Sequence, residues 1–244
     1  MESLPEIRKY KTNFQSNINC ASLWGVNLLV GCQDGLKFLD RSGQGEVYTL
    51  HANRPFKQID VLEQLNVAIT VSGKKDKLRC YYLSNLRSKI IQVNNRDGGG
   101  DEYIDIDNIQ NVTMYKYVQY ERIRFLIVLA KHTIEVYAWA PKPYSKFMKF
   151  KSYTGLKHKP LVANLTVEEG TRLKVIYGSD VGFHAIDCDQ GHTYDLFLPN
   201  FVNGPVTPHS ITVLNSNEGH DLLLCYDDEG VYRINFETVM ISRF

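Results

Sequence analysis

Four stretches of this 244-residue chain hold side chains whose type and spacing suit chemistry. Asp187-Cys188-Asp189-Gln190-Gly191 has D-x-D-x-G spacing. Alternate carboxylates closed by a turn glycine can wrap a hard cation such as Ca²⁺, but a full loop of that kind needs more oxygen ligands and a distal glutamate. The pattern stops short, so it reads as a solvated hairpin turn and no metal is assigned. Ser72-Gly73-Lys74-Lys75-Asp76-Lys77 faintly resembles a phosphate loop. It lacks the G-x-x-x-x-G-K-[ST] spacing and lies between two apolar runs rather than ahead of a helix. It reads as a charged hairpin tip, and Lys74, Lys75 and Lys77 become candidate contacts for an acidic partner, because loops on a rigid scaffold carry binding. Lys142, Lys146, Lys149 and Lys151 interleave with Tyr144, Phe147 and Phe150. Such mixing can serve RNA or phosphoinositides. The net charge of +1 supplies no general field for a polyanion, so no nucleic acid is expected. Trp139, Lys142 and Tyr144, beside Pro141 and Pro143, are candidate anchors for a protein partner; Trp139 is equally suited to packing between strands.

The remaining chemistry is thin. Seven histidines are scattered, and His184, in an apolar run, reads as a satisfied core residue. No G-x-S-x-G is present. The five cysteines form no C-x-x-C pair, which argues against a zinc site or a disulfide framework. No cofactor is expected. A triad assembled from distant positions leaves no local mark in a sequence.

The elements that must position these residues repeat. Leu28 to Asp40 reads as strand, turn and strand, with Asp34-Gly35 as the turn, since glycine tolerates the positive φ that such turns use. Similar units follow at Val67 to Leu83, Phe125 to Trp139, Leu173 to Asp187 and Leu222 to Ile234. Their turn centres fall near residues 34, 75, 131, 180 and 228. Spacings of this size, with several short strands in each, are the signature of β-propeller blades. Helical periodicity is weak, apart from a short turn at Asn85 to Val93. Asn94 to Gly100 carries a glycine run too costly in backbone entropy to sit inside an element. The expected fold is therefore all-β, a propeller of four-stranded blades with about five visible. The expected division is a polar segment at 1–13, the propeller at 14–234 and a tail at 235–244.

Composition agrees. Hydrophobic residues make up 43 % of the chain, and its 15 Tyr and 11 Phe suit pleated strands. No apolar run approaches the roughly 20 residues of a membrane helix, and MESLPEIRKYKTNF lacks an apolar signal region. No membrane insertion and a cytoplasmic location are expected.

Several runs together resemble the citron homology (CNH) domain, in the form found at the C-terminus of Nck-interacting-kinase-like germinal centre kinases. They are Leu23 to Gly31, Asp40 to Gly45, Ser72 to Leu83, Tyr120 to Leu126, Glu135 to Met148, Leu165 to Ser179, Gly182 to Asp187 and Asp228 to Tyr232. The match is long and collinear. The resemblance implies a seven-bladed propeller, of which this chain is an incomplete part. It also implies a non-catalytic regulatory module of a serine/threonine kinase that engages small GTPases of the Rap type and cytoskeletal or adaptor proteins. No G-x-G-x-x-G, H-R-D or D-F-G occurs here, so no kinase activity is expected of this chain. After Val231-Tyr232 the sequence leaves the family pattern. The alternatives are a nucleotide-independent scaffold for cytoskeletal or vesicle-tethering proteins, and an enzyme with a site in the propeller channel.

Overall fold

A computed structural model describes residues 9, 14–42, 45–91, 103–199, 204–214, 219–234 and 237–243. The glycine-run loop at 94–100 lies outside the described residues, as does the polar N-terminal segment apart from Lys9 and the part of the C-terminal tail at 235–236 and 244.

Each expected unit is a four-stranded antiparallel meander, with strands neighbouring one another in chain order. The first sheet is β1 (Ile18–Trp24), β2 (Asn27–Cys32), β3 (Gly35–Leu39) and β4 (Val47–Ala52). The second is β5 (Phe56–Leu62), β6 (Val67–Ser72), β7 (Lys77–Tyr82) and β8 (Tyr103–Asp105). The third is β9 (Val112–Tyr120), β10 (Ile123–Ala130), β11 (Thr133–Ala140) and β12 (Lys146–Tyr153). The fourth is β13 (Val162–Glu168), β14 (Arg172–Ser179), β15 (Gly182–Asp187) and β16 (Thr193–Phe197). The fifth is β17 (Pro208–Val213), β18 (Leu222–Tyr226), β19 (Glu229–Ile234) and β20 (Glu237–Arg243). The helical turn expected near Asn85 is α1 (Leu83–Ile91), which buries Leu83 and Leu86, one turn apart. Asn66 Oδ1 accepts the Ser84 backbone N–H at 3.1 Å at its first turn. Among the described residues no helix is long and apolar enough to cross a membrane.

The chain divides into two compact units, residues 1–110 and 111–244. In the first, β1 and β2 pack on β5. Trp24, Leu29, Phe38, Phe56, Tyr81 and Leu86 form its main core, with Trp24 edge-on to Phe38 at 5.4 Å. In the second, β13 packs on β9 and β10 on one side and on β17 on the other. Alternation along β14 explains the unbroken apolar run of this sheet. Val175 and Tyr177 enter a cluster with Phe125, Ile127 and Val136, while Ile176 points the other way, toward Leu222, Leu224 and Tyr226. Successive side chains leave opposite faces of a strand, so a sheet packed on both faces must be apolar at consecutive positions.

The turn at 34–35 differs from expectation. The residues between the strands are Gln33 and Asp34, and Gly35 begins β3 without a positive φ. Its need for glycine is a close approach. A Cβ there would stand 2.1 Å from the His51 carbonyl oxygen on β4. Gly182, the first residue of β15, repeats the arrangement against the Phe197 carbonyl oxygen at 2.4 Å, with φ at 141°.

Candidate functional site

The loop from Ser72 to Lys77 joins two strands, as a hairpin tip does and a phosphate loop does not. Gly73 (φ 83°) and Asp76 (φ 46°) supply the left-handed positions that the turn requires. Half of its charged residues are tied down. Lys77 Nζ donates to Asp105 Oδ2 at 2.7 Å and to Asn108 Oδ1 at 2.6 Å, holding β7 to the short strand β8. Asp76 is paired with Lys57 at 2.8 Å. Lys74 and Lys75 are exposed and make no ion pair among the described residues. Of the three expected contact lysines, two project outward and Lys77 acts as an internal clamp.

Trp139, Lys142 and Tyr144 belong to the other unit, so they and the lysine tip are separate candidate surfaces. Trp139 is half-buried and sits opposite Phe147 across the β11–β12 pair, ring edge to face at 5.0 Å. Lys142 is exposed, and so is Tyr144, at 64 %. The turn carrying them is fixed by the Tyr144 and Ser145 N–H groups, which donate to the Pro141 carbonyl at 3.1 and 3.3 Å.

The D-x-D-x-G turn caps itself. Asp187 Oδ1 accepts the backbone N–H groups of Asp189 and Gln190, both at 3.0 Å. Those bonds, that of Gln190 foremost, hold its carboxyl below the usual range.

Polar chemistry that the sequence did not place lies inside the blades. The third residue of each third strand is buried: Lys37, Arg79, Glu135, His184 and Val231. Each of the four polar ones meets a partner beside it. His184 Nδ1 donates to Asp195 Oδ1 at 2.6 Å, and its Nε2 lies 2.7 Å from Ser179 Oγ. A carboxylate only accepts, so Nδ1 carries the proton and the serine hydroxyl donates to Nε2. Arg79 repeats the pattern two sheets earlier. It donates to Ser72 Oγ at 3.0 Å and pairs with Asp105 at 3.0 Å. Ser72 and Ser179 both end second strands, and Asp105 and Asp195 are the register partners of Arg79 and His184. Glu135 accepts from Ser152 at 3.0 Å, and Lys37 donates to Asp34 at 3.2 Å.

Ser179, His184 and Asp195 have the connectivity of an acyl-transfer triad. The serine is 0 % exposed, and its oxygen also accepts the Val181 N–H at 3.2 Å within the turn. A nucleophile must reach substrate, so this is a blade pin and not a catalytic group. Burial lowers the His184 pKa against the opposing pull of Asp195. His158 lies flat on the His184 ring at 5.0 Å.

A cleft of about 690 Å³ runs along β9 and β13, with Val213 and Leu214 at its side. Asn164 and Thr166, which line it, donate to the Ile211 and Gly219 carbonyls at 2.8 and 2.7 Å. Their polar atoms therefore tie neighbouring strands together. Lys116, Tyr120 and Glu169 also line it.

These blades match known proteins. A family model of the CNH domain matches residues 24–237. Misshapen-like kinase 1 of Rattus norvegicus is 55 % identical over 228 residues, covering 93 % of this chain and 17 % of that protein. Serine/threonine-protein kinase mig-15 of Caenorhabditis elegans is 51 % identical over 236 residues, covering 93 % of this chain and 21 % of that protein. The chain thus spans about a fifth of the length of these kinases, whose kinase activity lies in the remainder. Among solved structures, the AfRom2 CNH domain superposes with a TM-score of 0.65 at 16 % identity, over 96 % of this chain and 76 % of that one, a likeness of fold. The repeated four-stranded sheets and the family match over residues 24–237 lead to one conclusion: the chain belongs to the CNH domain family.

Proposed function

We propose that this domain is the regulatory protein-binding module of a Ste20-type serine/threonine kinase, and that it recognises the GTP-loaded form of a Rap-type small GTPase. The reading rests first on kinship with the Misshapen-like and mig-15 kinases. The observation that carries it to a surface is the β6–β7 tip. Lys74 and Lys75 face outward while their neighbours Asp76 and Lys77 are held by ion pairs. A cationic tip on a fixed hairpin loses little conformational entropy on binding, and it complements the acidic switch regions common in small GTPases. Lys142 and Tyr144 offer a second exposed tip of similar chemistry. Binding would bring the kinase to the GTPase, in the cytoplasm, and connect it with cytoskeletal or adaptor proteins.

The test is a titration of a Rap-type GTPase, loaded with a GTP analogue, against the chain and its Lys74→Glu, Lys75→Glu double variant. The variant is expected to bind at least about ten-fold more weakly, with a gap that narrows as salt is raised. Equal affinity of the two proteins would remove the tip from the binding surface.

A further inference from the structure

β12 is the outermost strand of its sheet, paired with β11 on one side. Its 8 residues make it the longest of the five fourth strands, against 6 in β4, 3 in β8, 5 in β16 and 7 in β20. Its register with β11 slips once. Tyr137 pairs with Lys149 and Val136 with Lys151, which leaves Phe150 without a partner. A bulge of this kind re-aims the extra side chain. Phe150 is 48 % exposed and Met148 46 %, large values for apolar side chains on a strand. Lys146 and Lys149 are exposed around them, and the Lys151 ammonium stands 5.6 Å from the Phe150 ring centroid. Glu135 is buried beneath this strand and already engaged by Lys149 at 3.1 Å and Ser152 at 3.0 Å. The surface is therefore an apolar centre within a cationic rim, on a strand whose outer edge belongs to no ladder of its sheet.

We propose that β12 is a docking edge for an extended acidic segment of another protein, one with apolar residues between its carboxylates. Main-chain groups from Lys146 to Lys149, ahead of the bulge, offer the hydrogen bonds of an added strand. Met148 and Phe150 cover the apolar side chains of the incoming segment. Lys146 and Lys151 pair with its carboxylates, and the basic rim repels a basic strand, which includes a second copy of β12 itself. An anionic membrane would satisfy the lysines and the aromatic ring but leave the edge groups without strand partners, so a peptide fits the whole surface better. The proposal is independent of the GTPase reading: it uses other residues, a linear peptide and no nucleotide.

The test titrates the 244-residue chain with a fluorescein-labelled octapeptide of alternating Glu and Val. Its comparators are a Lys/Val octapeptide and phosphatidylserine vesicles. The expected result is Glu/Val binding with a Kd of about 10 μM, together with slowed amide exchange from Lys146 to Lys149. Lys146→Glu with Lys151→Glu, and separately Met148→Ser with Phe150→Ser, should each weaken binding at least about ten-fold at an unchanged thermal midpoint. The proposal is overturned by no binding up to about 1 mM, by binding without protection of β12, by equal binding of the Lys/Val peptide, or by capture on vesicles alone.

Discussion

Two glycines show how a single hydrogen in place of a methyl group fixes a blade. Gly35 and Gly182 open the third strands of the first and fourth sheets, where a carbonyl of the fourth strand fills the space of a Cβ. The obstruction is backbone and cannot rotate away. Gly35→Ala is expected to destabilise the fold by about 3 kcal/mol, the upper end for overpacking. Gly182→Ala should cost at least as much, because its φ of 141° also disfavours a side chain. Urea unfolding of the two variants measures both. The histidines make stability pH-dependent at the same scale. Burial, with Lys89, Arg54 and Arg79 nearby, pushes His51 down to about 4, and burial lowers His184. Both folded pKa values lie below the unfolded one, so the folded state resists a proton that the unfolded state accepts. Their contribution is fully present above about pH 6.5 and is lost as pH falls below it, for His51 toward 4. The His51 ring is half-buried, so its slope should reach at most about 1 kcal/mol per pH unit. His51→Gln is expected to flatten the denaturation-midpoint profile between pH 4 and 6.5; an unchanged profile would contradict this assignment.

At the scale of elements, the fold was legible where the chain is apolar on consecutive residues. The strand pair β14–β15 is buried from both faces and announces itself as an unbroken run around a turn. First strands are quieter. Val112 to Tyr120 is apolar but irregular, because its middle lines a polar cleft through Lys116 and Gln119. β8 is only 3 residues long, too short for its Tyr and Ile to show a strand pattern. What holds β8 is side-chain pairing, in which Asp105 bridges Lys77 and Arg79 from two strand positions. Asp105→Asn removes the carboxylate from a nearly buried guanidinium. It should cost about 2 kcal/mol, less than for a fully buried pair, and should speed amide exchange across Tyr103–Asp105 in β8 ahead of β7. Exchange that rises uniformly through the sheet would show that Asp105 supports global rather than local stability. The polar repeat was present in the sequence as well, in Gly35-Leu36-Lys37-Phe38, Lys77-Leu78-Arg79-Cys80, Thr133-Ile134-Glu135-Val136 and Gly182-Phe183-His184-Ala185. Read singly, each charge looks like a solvated strand face. Only the alignment of the hairpins puts all four at one buried position.

At the scale of the molecule, five repeated meanders carry their chemistry in two different ways. Inside, polar residues pin strand to strand, and the triad-like string of Ser179, His184 and Asp195 ends in a serine with no exposure. Outside, the turns and edges hold exposed lysines and aromatics such as Lys74, Lys75, Lys142 and Tyr144. The division fits a binding module, since reactive groups are enclosed and recognition groups are displayed on a fixed frame. The sequence resemblance reached the family, and the family match over residues 24–237 bears it out. It did not separate the displayed lysines from the clamped Lys77, because that difference depends on Asp105 and Asn108, both roughly thirty residues away. The most direct test of the central claim is a calorimetric titration of this chain against a Rap-type GTPase in its GTP-analogue and GDP forms. The account predicts saturable binding of the GTP-analogue form, at least about ten-fold tighter than the GDP form. Equal affinity for both forms, or binding to neither, would contradict it.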